Sequence, residues 1–444
     1  MHPFELKIPN TFHYQTLDEI DYDARKRGLH IPFSRDLSPL AVKPAVHTRA
    51  GDIVLANSLS VHPMEGFDAD ETGAPSALTE RRYLRFAHSG AALIWSEAIA
   101  VCPEGRTSDR QLMITEENKE KFRAMIAKVK NVTGAPLIAQ LTHSGRFSHN
   151  SAAPYPLIAT HSKPIEEYRP LPDGTPLLTD EYLDSLPEKY LAAAKLLIWA
   201  GFDGVDIKAC HQYLLGELLS AYTREGKYGG SFENRSRLML DITKLIAENT
   251  DKRVILASRL GICDMIEKPY GFGMADDGQT PDFTEANKLI GKLSALGVSL
   301  IDMTMGSPYL NPYINRPQNK GERIPPEHPL VGVDRLIHGA EAIQKSNPSV
   351  AVIGTGYSYL REFAPYAAAG ALERGYSTLV GFGRMAFAYD RFADDFISGN
   401  TDKSKVCLAC SKCTEIMRAG GTTGCPLRDQ EIYLPIYRRL CMKK

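Results

Sequence analysis

Short apolar runs alternate with stretches long enough for a helix along most of the chain. Eight of these runs have the length and composition of buried strands, and they cover residues 59–64, 91–101, 135–141, 204–209, 253–260, 299–305, 350–356 and 377–384. A continuous apolar strand followed by a helix is the unit of a parallel sheet with helices outside it. Repeated eight times, this unit predicts an α/β fold, a (β/α)8 TIM barrel, in preference to an open doubly wound sheet.

The remaining sequence flanks the predicted barrel. Residues 1–50 show no strong pattern and are expected to wrap around it. Residues 51–400 contain the eight strand runs, and residues 401–444 contain four of the cysteines. The chain is therefore expected to consist of an N-terminal wrapping segment, a barrel domain, and a C-terminal cysteine-containing segment with a short tail.

Several predicted strands carry a polar residue at their C-terminal end: Glu97, Gln140, Lys208 and Arg259. In a TIM barrel these ends form the catalytic face, so the four side chains are expected there. Long connections follow the third, fifth and sixth strands, and long loops in compact domains are usually functional lids or disordered. We expect three lids over that face, formed by residues 144–180, 261–283 and 306–329.

Composition and charge narrow the class of protein. The chain has 52 Lys and Arg against 53 Asp and Glu, a formal net charge of −1, so it lacks the basic surface expected of a nucleic-acid or anionic-membrane binder. No apolar run approaches the roughly 20 residues that span a bilayer, and the N-terminus lacks the basic and apolar pattern of a signal peptide. These observations favour cytoplasmic chemistry on a small molecule.

Four of the eight cysteines lie close together near the C-terminus: Cys407, Cys410, Cys413 and Cys425. The rest of the chain is poor in cysteine and no export signal is evident. Such clustering favours a metal or iron–sulfur site over a disulfide framework.

The last two predicted strands end in glycine-containing turns, residues 354–356 (GTG) and 381–384 (GFGR). Glycine lets backbone N–H groups approach a phosphate closely, and Arg384 adds a positive charge. The loops after strands seven and eight are the usual phosphate site of a TIM barrel. Together the two turns indicate a phosphorylated ligand, although ordinary turn glycines would give the same pattern.

Gln140 and Arg259 lie inside otherwise apolar strands, where unpaired polar groups are costly. Each could satisfy an internal hydrogen bond or salt bridge. Alternatively, both face a flat polar heterocycle on which Arg259 stabilises negative charge. A reduced flavin carries such a charge at its pyrimidine end, and its ribityl phosphate would reach the glycine turns.

Five stretches resemble a known family: residues 55–66 (LANSLSVHPMEG), 96–106 (SEAIAVCPEGR), 139–146 (AQLTHSGR), 213–237 (YLLGELLSAYTREGKYGGSFENRSR) and 379–384 (LVGFGR). They are similar to the old yellow enzyme family of FMN-dependent ene-reductases, and most similar to the branch with 2,4-dienoyl-CoA reductase and trimethylamine dehydrogenase. The resemblance extends in order over residues 40–425, and YGGSFENR is its most specific part.

The resemblance implies a set of FMN-binding residues. Those expected to line the isoalloxazine are Pro63, Met64, Ala98, Gln140 and Arg259, and those expected to hold the phosphate are Gly356, Gly383 and Arg384. Where the family often has a small polar residue after Pro-Met, this chain has Glu65, so a direct bond from Glu65 to the flavin is not expected. His143 and Arg146 would lie near the flavin and lid, or would anchor the loop.

The turn after the fourth strand has the pattern of a catalytic turn. Many family members have His-x-x-Asn or His-x-x-His here, two donors that bind a substrate carbonyl, followed two residues later by a proton-donating tyrosine. This chain has Lys208 and His211 in those positions and Tyr213 in register. Lys208 departs from the pattern, so it could instead pair with a carboxylate. Cys210 is expected to be a small apolar wall residue.

The cysteine spacing is Cys407-x2-Cys410-x2-Cys413-x11-Cys425. It resembles the segment that binds a 4Fe-4S cluster in the dienoyl-CoA reductase branch, which more often has three residues between its second and third cysteines. A zinc site with four cysteine ligands is the alternative. Members with the cluster often continue into FAD- and NAD-binding domains, but no Gly-x-Gly-x-x-Gly follows a strand here. Electrons are therefore expected from NAD(P)H directly, or through the cluster from a separate flavoprotein or ferredoxin in an anaerobic setting.

The function expected from these features is FMN-dependent reduction of the C=C bond of an α,β-unsaturated carbonyl compound, such as an enoate, an enoyl thioester or a cyclic enone. Tyr213 would supply the proton, while His211 and Lys208 would bind the carbonyl oxygen. Three alternatives stay open: an amine dehydrogenase of the trimethylamine dehydrogenase type, an electron-transfer subunit without catalysis, and a Schiff-base lyase that uses Lys208.

Overall fold

The strands in this computed structural model form a closed barrel and a separate hairpin. The structure describes residues 12–153, 155–319 and 325–442, so the N-terminal residues 1–11 of the predicted wrapping segment lie outside it. The strands are β1 (Ala45–Thr48), β2 (Gly51–Val54), β3 (Leu59–Val61), β4 (Leu93–Ala100), β5 (Leu137–Thr142), β6 (Gly204–Ile207), β7 (Ile255–Cys263), β8 (Val298–Met305), β9 (Ala351–Gly354) and β10 (Leu379–Phe382). The barrel consists of β3 to β10 in sequence order, closed by parallel pairing of β10 with β3.

All eight predicted strand runs are barrel strands, so the TIM-barrel prediction is confirmed. The helices that accompany them are α1 (Leu17–Lys26), α2 (Ala77–Ala87), α3 (Lys119–Lys130), α4 (Lys163–Tyr168), α5 (Asp180–Asp184), α6 (Leu186–Ala200), α7 (Leu214–Leu219), α8 (Phe232–Asn249), α9 (Thr284–Ala295), α10 (Pro312–Asn315), α11 (Pro329–Ser346), α12 (Ala364–Glu373), α13 (Arg384–Ala388), α14 (Phe392–Ile397), α15 (Lys412–Arg418) and α16 (Gln430–Cys441). Within the described ranges, none of these helices is both long enough and apolar enough to cross a membrane.

The inside of the barrel changes from apolar to polar along the strand direction. Its lower part is a cluster that includes Leu93, Trp95, Ile255 and Leu300, and Val46 of β1 packs against it. The hairpin of β1 and β2 therefore closes the N-terminal end, a feature that the weakly patterned first 50 residues did not reveal. Polar side chains occupy the next layer of inward positions, so the site lies at the C-terminal end.

The C-terminal segment packs over the open end of the barrel. Its backbone is tied to the loop after β3, because Thr423 N donates to the Gly66 carbonyl at 2.8 Å. Arg110 Nη1 donates to the Gly420 carbonyl at 2.6 Å, and Arg81 makes a two-point ion pair with Asp429, with Nη1 2.7 Å from Oδ2. These contacts fix residues 419–429 on the catalytic face.

A histidine on α11 makes a pH-dependent contribution to stability. Its two ring nitrogens lie between two carboxylates: His338 Nδ1 is 2.6 Å from Glu341 Oε2 and Nε2 is 3.4 Å from Asp334 Oδ1. Hydrogen bonds that His338 donates to Asp334 and Glu341 raise its pKa to about 9, although partial burial opposes them. A raised pKa means that the stabilisation is complete below about pH 6.5 and is lost as the pH rises through about 9.

We therefore expect His338→Gln to lower the melting temperature near pH 6 and to leave it unchanged near pH 10. Melting curves of the wild type and the variant across this range measure the effect. His88→Gln, at an exposed histidine with no ion pair among the described residues, is the matched control and should show no such trend. A constant difference between His338→Gln and the wild type would contradict the assignment.

Candidate active site

One cavity of about 550 Å³ opens at the C-terminal end of the barrel, within the size range of small-molecule sites. It brings together the predicted barrel site residues, whose chemical roles remain predictions: Pro63, Met64, Ala98, Gln140, Lys208, His211, Tyr213, Arg259, Gly356, Gly383 and Arg384. These predicted residues come from seven of the eight strands or their following loops, and the loop after β8 supplies others, so all eight converge on a single space.

Asp206 organises the floor of the cavity. Its Oδ2 accepts from Gln140 Nε2 at 2.6 Å and from Trp95 Nε1 at 2.8 Å, and its Oδ1 accepts from the Arg259 backbone N–H at 2.6 Å. Burial raises the pKa of Asp206 to about 6 in spite of these bonds. Gln140 thus satisfies an internal hydrogen bond and also lines the cavity, while its contact with a heterocycle stays a prediction. Sequence analysis missed Asp206, although its position two residues before Lys208 puts both on one strand face.

The guanidinium of Arg259 is held in place by Pro63 and Asp302. Its Nη1 donates to the Pro63 carbonyl at 3.1 Å, and its Nε lies 3.6 Å from Asp302 Oδ2. Asp302 Oδ1 lies 3.1 Å from His62 Nδ1. Burial would raise the pKa of Asp302, but His62 and Arg259 outweigh burial and lower it. An ionised Asp302 therefore holds Arg259 in the cavity as a cation.

The turn after β6 carries the predicted residues Lys208, His211 and Tyr213, and two of its residues have strained backbone conformations. His211 and Gln212 have φ values of 61° and 56°, in the left-handed region that non-glycine residues rarely adopt. Tyr213 N donates to the Cys210 carbonyl at 3.2 Å and closes the turn. Such conformations cost about 1–3 kcal/mol each and cluster at functional sites. Here the turn brings Lys208 Nζ to 3.8 Å from the centre of the Tyr213 ring.

His211 is held as a neutral imidazole with a defined tautomer. Burial lowers its pKa well below the usual value, and the charges of Arg259, Lys208 and Arg316 lower it further. Asn315 Nδ2 donates to His211 Nε2 at 3.2 Å and to Thr304 Oγ1 at 2.7 Å. Because Nε2 accepts, the ring proton resides on Nδ1. His211 can therefore donate from Nδ1, which suits a carbonyl-binding role.

An aromatic cluster forms the upper wall next to this turn. Tyr213 Oη lies 3.1 Å from Tyr309 Oη, and the Tyr309 ring stacks on Phe147 with centroids 3.7 Å apart. Burial raises the pKa of Tyr213 well above 10, and Tyr309 adds to the shift. The Tyr213 hydroxyl therefore stays protonated at neutral pH. Tyr309 was missed, because it comes from an irregular loop without periodicity.

Glu65 and Lys208 both line the cavity, and their charges interact. Burial raises the pKa of Glu65, with a further contribution from Glu97, whereas Lys208 opposes the shift. Burial lowers the pKa of Lys208, and Cys210 and Glu65 oppose that shift. Glu65 Oε1 has no hydrogen-bond partner among the described atoms. The pair is therefore a weakly solvated acid and amine directly beside the aromatic cluster.

Two of the three predicted lids contribute to the cavity. The loop after β5 supplies Phe147, Ile165 and Arg169, and the loop after β8 supplies Pro308, Tyr309, Asn315 and Arg316. Residues 261–283 contribute none, which corrects the prediction of a third lid. That loop folds on itself instead, because Asp264 accepts from the Phe272 N–H at 2.9 Å and lies beside the barrel.

Three other residues singled out in the sequence lie outside the cavity. Glu97 does not face the catalytic end; its Oε2 accepts from Gly66 N at 2.8 Å, and it pairs with Arg82 on α2. His143 accepts from the Gly145 N–H and lies 2.9 Å from Tyr182 Oη, and burial lowers its pKa to about 4. Arg146 Nε donates to Glu217 Oε1 at 2.9 Å. Within the described chain, all three anchor loops.

The cavity is strongly electropositive. Only one carboxylate lines it within the described residues, that of Glu65, whereas six cationic side chains do: Lys208, Arg169, Arg259, Arg316, Arg384 and Arg418. Buried charges of one sign favour a ligand of the other sign. The site is therefore suited to an anionic ligand.

The four clustered cysteines line a second, smaller cavity beside the first. Its wall contains Cys407, Cys410, Cys413 and Cys425, and it shares Arg384, Phe387 and Cys413 with the larger cavity. Burial raises the pKa of Cys407 to about 11 and that of Cys425 to about 12. In the described ranges no three His, Cys, Asp or Glu side chains are arranged as ligands of a metal ion. The thiols are thus neighbours without ligand geometry.

The comparison with a family model and the comparison with individual proteins agree with each other. The model of the NADH:flavin oxidoreductase / NADH oxidase family matches residues 48–393. An NADPH dehydrogenase of Clostridium acetobutylicum is 30% identical over 200 residues, covering 44% of this chain and 57% of that protein. An NADH oxidase of Thermoanaerobacter brockii is 25% identical over 377 residues, covering 82% of this chain and 52% of that protein. The chain thus spans little more than half the length of these two relatives.

A solved structure shares the fold. The complex of 2-naphthoyl-CoA reductase with 2-naphthoyl-CoA superposes with a TM-score of 0.71 at 20% identity, covering 88% of this chain and 57% of that one. At this identity the similarity concerns the fold alone.

Proposed function

Because the chain belongs to the NADH:flavin oxidoreductase / NADH oxidase family and is an oxidoreductase, we propose that it binds FMN in the barrel cavity and reduces the C=C bond of an α,β-unsaturated carbonyl compound. The observation that carries this proposal is the convergence of Tyr213, His211 and Arg259 on one cavity. NAD(P)H is the proposed source of electrons, either directly or through a partner protein.

The cavity has the features that FMN requires. Gln140 and Arg259 offer polar groups at its floor, and buried nitrogens of Arg259 and Arg384 lack hydrogen-bond partners among the described atoms. At Gly383 a Cβ would lie 2.6 Å from Met64 Sδ, so a larger residue there would displace the Met64 side chain. Arg259 would face the pyrimidine end of the flavin, and Gly383 with Arg384 would face its phosphate.

The proposed chemistry divides between cofactor and protein. Bound and reduced, FMN supplies the hydride for the β-carbon of the substrate. His211 donates a hydrogen bond from Nδ1 to the carbonyl oxygen, where negative charge develops, and Lys208 contributes positive charge nearby. Tyr213 holds the proton for the α-carbon, because its hydroxyl is buried and protonated. Phe147 and Tyr309 exclude water from this point.

The first experiment is an absorption spectrum of anaerobically purified protein, with release and identification of the chromophore. We expect FMN, and we expect the NAD(P)H-reduced protein to be reoxidised by an enone or enoate under anaerobic conditions. Cinnamaldehyde and cinnamate provide a neutral and an anionic substrate of similar shape. A colourless protein that binds no FMN would exclude the proposal, and a flavoprotein inert to every enone would favour a role in electron transfer alone.

The electropositive lining argues against the amine dehydrogenase alternative. An alkylammonium substrate would enter a cavity with six cationic side chains and a single carboxyl, that of Glu65, whose pKa burial raises. The stacked rings of Phe147 and Tyr309, 3.7 Å apart, leave no space for a cation between them. Turnover of trimethylamine with reduction of the flavin would overturn this conclusion.

One observation favours the lyase alternative, namely the lowered pKa of the buried Lys208 at a strand end. A neutral amine there could form a Schiff base with a carbonyl substrate. Borohydride treatment in the presence of an aldehyde, followed by mass spectrometry, tests it. We expect no adduct on Lys208, because the ammonium is stabilised by the Tyr213 ring and by Glu65.

We propose further that the four clustered cysteines hold a 4Fe-4S cluster. Their spacing and their position around one small cavity support this proposal. Arg384 and Phe387 line both cavities, so the cluster would be a neighbour of the flavin and could pass electrons to it from a flavoprotein or ferredoxin.

Anaerobically purified protein is expected to contain about four iron and four sulfide per chain, as the cluster requires. Cys425→Ser should remove most of the iron, because it deletes one of four ligands. Metal and sulfide analysis measures both. Cys441→Ser, which changes a cysteine outside this cavity, is the matched control and should keep the full content. Stoichiometric zinc without sulfide would establish the zinc alternative instead.

A further inference from the structure

Arg316 is a cavity residue that sequence analysis did not select. It follows α10 in the loop after β8 and lines the larger cavity. Its Nε is buried and has no hydrogen-bond partner, and no described carboxylate lies within ion-pair distance of its guanidinium. A buried, unpaired guanidinium is costly unless a ligand supplies the missing acceptor.

Arg316 lies beside a second guanidinium, that of Arg384, which also has a buried nitrogen without a hydrogen-bond partner in the described part of the chain. Arg384 Nη2 donates to the carbonyl of Pro317, the next residue after Arg316, at 2.7 Å. Arg384 Nη1 is buried and has no partner among the described atoms. Burial, together with the nearby charge of Arg384, lowers the pKa of Arg316 to about 10. Two adjacent cations with buried donors that lack partners, neither of them in an ion pair with a described carboxylate, form a site for an anion that bridges them.

The neighbouring wall identifies the chemistry of that anion. Thr355, Gly356 and Ser358 of the turn after β9 line the cavity, as does Gly383 directly before Arg384. Hydroxyl groups and glycine turns at the ends of the last two strands suit a phosphate. A phosphate monoester carries close to two negative charges and offers three oxygens at neutral pH, which matches two guanidinium groups.

We propose that Arg316 and Arg384 together clamp a phosphate monoester, and that this group is the phosphate of FMN. The inference rests on the proposed function, to which it adds a binding residue from a different strand end. The loop after β8 thereby contributes to cofactor affinity as well as to the substrate wall. A phosphate or carboxylate of the substrate is the other possible source of the same anion.

Flavin binding to the full-length chain, freed of flavin by dialysis, tests the clamp. Titrations monitored by flavin fluorescence compare FMN with riboflavin, which lacks the phosphate. Arg316→Gln is expected to weaken FMN binding about 10- to 100-fold, the value of a charge-assisted hydrogen bond, and to leave riboflavin binding unchanged. Arg384→Gln should act in the same way. Arg316→Lys, which keeps the charge, should give an intermediate effect and serves as the second variant if Arg316→Gln does not fold.

The control variant is Arg335→Gln, which breaks the ion pair of Arg335 with Glu327 away from the cavity and should change neither affinity. Equal weakening of FMN and riboflavin by Arg316→Gln would show a packing role and overturn the clamp. Unchanged flavin affinities together with a raised KM for cinnamate, but not for cinnamaldehyde, would assign Arg316 to the substrate anion and also overturn it. Wild-type protein that binds neither flavin would instead refute the proposed function.

Discussion

Replacing Tyr213 with phenylalanine is expected to slow reoxidation of the reduced flavin by an enone about 10²- to 10⁴-fold, the usual contribution of a positioned general acid. Reduction by NAD(P)H should be unchanged. The substitution removes only the hydroxyl, which lies 3.1 Å from that of Tyr309. The ring stays in place to contact Lys208, whose Nζ lies 3.8 Å from its centre. Stopped-flow measurement of the two half-reactions separates the effects.

Tyr309→Phe is the matched control, because it removes the other hydroxyl of the same pair. If Tyr213 is the acid, Tyr309→Phe should slow reoxidation much less than Tyr213→Phe. Equal losses would indicate that the two hydroxyls act as one unit. Unchanged reoxidation in Tyr213→Phe would remove Tyr213 from the mechanism and leave solvent as the proton source.

Replacing Arg82 with methionine is expected to lower the free energy of unfolding by about 3–5 kcal/mol, because it leaves buried carboxylates without their cation. Arg82 is 3% exposed and pairs with both Asp68 and Glu97. Its Nη2 lies 3.0 Å from Asp68 Oδ1. Burial raises the pKa of Glu97 to about 7 even with Arg82 present. The loss should therefore shrink as the pH falls below 7, since the Glu97 carboxyl can then take up a proton.

Urea unfolding at several pH values measures this loss. Arg85→Met, one turn along the same helix, is the control. Arg85 is more exposed and lies 3.4 Å from Asp390 and 3.6 Å from Asp429, so its removal should cost only about 0–1 kcal/mol. Equal losses in the two variants would show that the buried network around Arg82 contributes no more than a surface pair.

The strands were predictable because each is buried on both faces of a parallel barrel and is therefore continuously apolar. Glu97 shows where this approach fails. The register between β4 and β5 shifts between Trp95 and Ala98, so a bulge interrupts the alternation of side chains. Ala98 consequently faces the cavity and Glu97 faces α2. Strand alternation read from the sequence could not reveal that shift.

The candidate site was predictable where a regular element fixes the side chain. Gln140 and Arg259 lie within β5 and β7, Lys208 directly follows β6, and the barrel brings all three side chains to one cavity. Tyr309, by contrast, comes from an irregular loop, and so does Arg316. Their positions depend on tertiary contacts such as the stacking on Phe147, which no periodicity encodes.

The packing of the C-terminal segment over the open end of the barrel determines when the larger cavity is complete. Cys413, Thr414, Met417, Arg418 and Thr423 are part of the wall of the larger cavity. These residues leave the ribosome after all eight strands. A nascent chain that has already closed its barrel therefore still has an open, incomplete pocket. The cavity that we propose binds flavin is therefore completed only after synthesis of the whole barrel.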